Sequence, residues 1–181
     1  MTEEARLEQT EAGLVPADDG WFVLNAMDAP WWRAEGFGTS CSFEGEPEFQ
    51  EYGMNIHVLW PGNPNGMYHH ESVQEDFLVV AGECLLLIEG EERPLKAWDF
   101  VHCPAGTDHI FVGAGSGPCV IVMAGSRAEH TILYPVSELA QKHGAGVEEE
   151  TPVPAEAYAR FPKGGLGPAP DGVLPGATPP P

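Results

Sequence analysis

Four side chains able to bind a metal stand at the two ends of one strand-rich run, and the run must fold back for them to meet. His69, Glu71 and Glu75 lie within seven residues. His109 follows the turn Pro104-Ala105-Gly106-Thr107, roughly thirty residues further on. Between them, Phe77 to Ile88 is rich in Val, Leu and Ile and reads as strand. Histidine supplies a neutral imidazole nitrogen and glutamate a hard anionic oxygen, so two of each suit a divalent first-row metal. Two carboxylates would also offset the ion's charge inside an apolar fold. Side chains alternate along a strand, so His69 and Glu71 share one face and His70 takes the other.

The remainder of the chain has the same character. Gly (22) and Pro (18) are abundant, which together with scarce helical periodicity predicts an all-β domain with many turns. In Asn55 to Trp60, alternation puts Asn55, His57 and Leu59 on one face and Ile56, Val58 and Trp60 on the other. Apolar residues on both faces suit a barrel that is filled inside and covered outside. The net charge of −20, with 8 basic residues, argues against nucleic acid and anionic membrane surfaces as partners. The N-terminus lacks the basic start and apolar core of a secretory signal, and no apolar run approaches a membrane span, so a cytoplasmic protein is expected. Cys41, Cys84, Cys103 and Cys119 stand far apart and are expected to be reduced, mostly buried thiols.

Two further patterns carry a family resemblance. Glu75, six residues and Gly82 match the end of one motif, and Pro104-x-Gly106-x-x-His109 matches the middle of a second. In these the stretch from Asn55 to Met123 resembles the cupin superfamily. The resemblance implies a double-stranded β-helix or jelly-roll barrel, one divalent metal ion per chain, a small-molecule ligand and a homodimer. Two ligand sets fit the motif. A three-residue spacing to Glu75 gives His69, Glu71, Glu75 and His109. A four-residue spacing gives His70, Glu75 and His109 with Tyr68 at the first position. Trp98 and Gly113 replace the motif's leading Gly and closing Asn. Zinc, iron, manganese and nickel all accept such ligands, with zinc expected in purified protein. A barrel of this fold that holds no metal is the alternative.

The expected organisation is an N-terminal arm (1–20), a barrel (21–127), a C-terminal extension with short helices (128–162) and a flexible Pro/Gly-rich tail (163–181). The arm is read as loose or as a short helix over Glu3 to Thr10, and Trp21 to Leu24 as the first strand. Asp28 to Arg33 is read as a loop with aromatic anchors. Hairpins are expected at Ala81-Gly82-Glu83 and Glu89-Gly90, and one strand over Leu95 to Cys103. Ser137 is a candidate N-cap for a helix ending at Gly144. Tyr52, Phe77, Phe100 and Phe111 are expected to line or cap the barrel. His57, whose ordinary pKa lies near neutrality, is the candidate general base. His102 is left unassigned, and His130 and His143 are read as surface or packing residues. The dimer contact is placed on the arm and Thr131 to Tyr134. Two functions fit: a small-molecule metalloenzyme with dioxygenase-like chemistry, or a barrel that binds or senses a small ligand.

Overall fold

The computed structural model describes residues 3–176. Its strands in chain order are β1 Leu7–Gln9, β2 Leu14–Pro16, β3 Trp31–Arg33, β4 Thr39–Ser42, β5 Tyr52–Leu59, β6 His70–Glu71 and β7 Glu75–Ala81. There follow β8 Glu83–Ile88, β9 Glu91–Lys96, β10 Phe100–Cys103, β11 His109–Ala114, β12 Cys119–Ser126 and β13 Ile132–Leu133. Two short helices, α1 Glu138–Lys142 and α2 Pro154–Ala157, precede β14 Gly165–Gly167. Among the described residues no helix is long and apolar enough to cross a membrane.

Two sheets face each other. One has seven strands in the order β10-β7-β12-β5-β4-β3-β14, and the other has three, β11-β8-β9. All their pairings are antiparallel. Alternation decides what lies between them. Leu59 of β5, Cys119 and Ile121 of β12, Phe77 and Val79 of β7, and Leu86 and Phe111 from the opposing sheet form the inner core. Residues of opposite parity pack outside. Val58, Val120, Cys41 and Trp31 form one outer core, and Leu87, Ile110 and Val112 another beneath α1. All four cysteines are free and buried.

Several local expectations are corrected. Glu3 to Thr10 is not helical. Leu7–Gln9 pairs with Leu14–Pro16, and the Thr10 hydroxyl accepts hydrogen bonds from Ala12 N–H and Gly13 N–H. Side-chain bonding of this kind offers the backbone a turn in place of a helix. In Trp21 to Leu24 the ladder shrinks to a single bridge between Trp21 and Glu4. Asp28 to Arg33 ends in strand β3, whose Trp31 is fully buried with its indole N–H donated to Ala26 O at 2.8 Å.

Glu89-Gly90 makes the expected hairpin between β8 and β9, with both turn residues at positive φ. Ala81-Gly82-Glu83 does not. There the chain passes from one sheet to the other, since β7 pairs with β10 and β12 while β8 pairs with β9 and β11. Gly82 has φ +74, and a Cβ on it would lie 2.3 Å from Pro118 O, so glycine serves the corner and not a hairpin. Leu95 to Cys103 breaks for the same reason. Trp98 (φ 78) donates its N–H to Val79 O at 2.7 Å as the chain returns to the larger sheet. Phe100 and Tyr52 point outward, 64% and 57% exposed, so neither lines the barrel.

The C-terminal part is tied down further than its composition predicts. Ser137 caps α1, its hydroxyl accepting from Ala140 N–H at 3.2 Å. Ile132–Leu133 pairs with His70–Glu71 of the same chain. Within the segment read as tail, Gly165–Gly167 pairs with β3, and Arg33 donates to Pro168 O at 2.5 Å. A free sheet edge recruits backbone without needing apolar side chains. Residues 177–181 of that tail lie outside the described residues.

Candidate metal centre

The inner core changes character toward one end. Along β5 the inward residues run Leu59, His57, Asn55. Along β7 they run Val79, Phe77, Glu75. Glu75 opens β7 and pairs with Gly125 on one side and Cys103 on the other. Across from it His109 opens β11, beside Phe77 at 5.1 Å between ring centroids.

His69 and His109 are opposed residues of an antiparallel bridge. His109 N–H donates to His69 O at 2.8 Å and His69 N–H donates to His109 O at 3.2 Å. Directly opposed residues present their side chains on one face, and the two imidazoles lie 5.2 Å apart. Each ring is oriented the same way. Nδ1–H of His69 donates to Met67 O at 2.7 Å, and Nδ1–H of His109 to Thr107 O at 2.9 Å. Those bonds fix the tautomer and leave both Nε2 atoms as acceptors, the arrangement found behind metal-ligating histidines. His109 Nε2 lies 3.5 Å from Glu75 Oε2. One ligand atom from each of His69, Glu75 and His109 falls within 4.8 Å of the others.

The electrostatics suit a cation. Burial, then the neighbouring His109, pushes His69 down to about 4, and burial lowers His109 as well. Both rings are therefore neutral and able to coordinate near pH 7. Burial, then the Glu71 carboxylate, pushes Glu75 up to about 7. The pocket disfavours each group's charged form, and a divalent ion would supply the compensating positive charge that a buried carboxylate needs. Two neutral nitrogens and one carboxylate are a competent donor set for zinc or another first-row metal.

The remaining candidates are placed nearby or apart. Glu71 lies outside the three-residue group. Its Oε2 is 3.4 Å from His130 Nε2, and it lines a cavity of about 180 Å³ with Glu75, Asn55, Arg127 and His130. His70 faces away, with Nδ1 2.5 Å from Asp108 Oδ1. Tyr68 is buried on the outer side of the small sheet, and its hydroxyl accepts from Gly90 N–H at 3.3 Å. His57 lies on the inner face but lines a different cavity, and burial lowers it to about 4, which makes it a weak base near neutrality. His102 faces out to Asp76 at 2.7 Å, so Cys103 is the inward member of that pair. His143 Nε2 lies within hydrogen-bond distance of Glu92 Oε1, at 2.8 Å.

Sequence reasoning missed three neighbours. Asn55 Oδ1 is buried without a hydrogen-bond partner among the described residues, and the alternation that put Asn55 on the inner face was its available signal. His130 and Arg127 reach the site from beyond β12, and nothing in their local sequence announces it. Arg127 packs against Gly53, where a Cβ would meet its guanidinium at 2.6 Å, and forms an ion pair with Glu44.

The model of the cupin domain matches residues 55–125, the stretch that carries Glu75, both histidines and the strands around them. This stretch is a cupin domain. Solved structures share the fold of this cupin. A predicted oxalate decarboxylase from Thermotoga maritima aligns at 17% identity over 57% of this chain and 97% of its own, with TM-score 0.51. A Cupin 2 conserved barrel domain protein from Salinispora arenicola aligns at 22% identity over 53% and 81%, with TM-score 0.47. A sugar phosphate isomerase from Silicibacter pomeroyi aligns at 25% identity over 59% of this cupin and 66% of its own chain, with TM-score 0.47, so the match spans just under two thirds of that relative. No curated protein matches the sequence.

Proposed function

We propose that this cupin binds one divalent first-row metal ion through His69, Glu75 and His109, with the adjacent Glu71 carboxylate as fourth ligand, and is a small-molecule metalloenzyme with dioxygenase-like chemistry. The observation that carries the reading is the convergence of two tautomer-fixed Nε2 atoms and a raised-pKa carboxylate within 4.8 Å. Two histidines and one carboxylate leave coordination positions open, and a bound iron or manganese would supply Lewis acidity and oxygen chemistry there. The chain's own residues do the rest. Phe77 and Phe111 exclude water behind His109. Asn55 Oδ1 offers an acceptor to a donor on the ligand. Glu71 and His130, at 3.4 Å, form a polar pair at the pocket wall. A homodimer belongs to the same proposal, and light scattering at micromolar concentration checks it, a monomer overturning it.

Oxygen uptake by protein reconstituted with iron or manganese, assayed against a panel of small phenols, diketones and keto acids, tests the reaction. Uptake that depends on both metal and substrate is expected. Tight metal binding with ligand-induced stabilisation and no turnover on any substrate would replace the enzyme with a binding or sensing barrel.

A further inference from the structure

The large sheet has seven strands and the facing sheet three. The inner faces of β3 and β4 therefore extend past the opposing strands. Trp32, Ser40 and His57 are cross-strand partners on that inner face. The chain from Ala155 to Gly164, outside the cupin domain itself, crosses over them and encloses a cavity of about 520 Å³. That volume lies within the ordinary range for small-molecule sites.

We propose that this cavity is a second small-molecule site, distinct from the metal cluster, which takes a hydroxylated aromatic compound of one or two fused rings. Its walls are aromatic and held in place. Phe37 packs on Phe161 at 4.5 Å and on Tyr158 at 5.6 Å between ring centroids. The Tyr158 hydroxyl accepts from Met67 N–H at 3.0 Å, which fixes that ring. Gly164 passes so close to the Trp32 indole that a Cβ there would sit 2.6 Å from it. Flat rings stack on such walls in offset or edge-on geometry.

The polar chemistry is equally restricted. His57 is the imidazole at the base of the cavity, and no charge or hydrogen bond from another described residue perturbs it. A neutral imidazole offers one donor and one acceptor, which a hydroxyl group matches with its own donor and acceptor. Ser40 and Asn65 add uncharged polar groups to the lining and Lys163 adds one ammonium, a donor to a hydroxyl oxygen.

The test is calorimetric titration of the full chain with 2-naphthol, and with naphthalene as the ring without a hydroxyl, both in zinc-loaded protein and in chelated protein. One site for 2-naphthol is expected in both metal states. His57→Leu should weaken 2-naphthol by roughly three- to tenfold, the worth of one neutral hydrogen bond, and leave naphthalene unchanged. Ala159→Trp, at an exposed position on the cavity wall, should abolish both while circular dichroism shows a folded chain. No binding of 2-naphthol, binding that disappears with the metal, or binding indifferent to Ala159→Trp would each overturn the proposal. The metal centre's assignment stands or falls separately, by metal content.

Discussion

His69→Ala and His109→Ala are each expected to strip the protein of its metal, while His70→Ala keeps about one ion per chain by plasma mass spectrometry. The two rings to be removed have Nδ1 anchored to a carbonyl and Nε2 turned toward Glu75. The His70 ring is on the other side, bonded to Asp108. Loss of an outer partner of a metal ligand typically weakens binding by about 10–100-fold, so loss of a ligand itself should exceed about 100-fold. Glu71→Ala should fall between, since Glu71 stands beside the three-residue group and is engaged with His130. A second readout follows from linkage. Metal at about a thousand times its Kd stabilises the folded chain by about 4 kcal/mol, so zinc should raise the melting temperature of the native chain and of His70→Ala but not of His69→Ala or His109→Ala. Metal lost from His70→Ala and kept in His69→Ala would reverse the assignment and put the site on the outer face of β6.

Much of this centre was legible from local spacing. Alternation separates His69 from His70, and the Pro104-Ala105-Gly106-Thr107 turn delivers His109 to a strand start. What spacing cannot supply is the partner. The His69–His109 bridge joins residues far apart in sequence, and Glu71 is drawn to His130, which arrives from beyond β12. The fold divides in the same way. The Glu89-Gly90 turn and the Ser137 cap are local chemistry, and both form as expected. Ala81-Gly82-Glu83 has equally good turn chemistry, yet makes a corner between sheets, because strand pairing is decided by which neighbours complete each face. Gly165–Gly167, two glycines around Leu166, has little β propensity and becomes a strand because β3 presents an open edge.

Phe111→Ala and Phe100→Ala make the sharpest test of the packing, because the same side chain is removed from two strands with opposite outcomes expected. Phe111 is fully buried, 4.8 Å from the Phe77 ring and edge-on to His109 at 6.3 Å. Its loss should cost about 3–5 kcal/mol in urea unfolding, combining lost burial with the cavity left in a packed interior. It should also weaken metal binding, since Phe111 and Phe77 together hold the His109 ring in place. Phe100 is 64% exposed on the edge strand β10, and its truncation should change stability by no more than about 0.5 kcal/mol. A small effect at Phe111 would mean the inner face of β11 is not packed as described. A large effect at Phe100 that grows with protein concentration would mean a second copy of the chain covers that edge, since only an interface makes an exposed side chain's contribution depend on concentration.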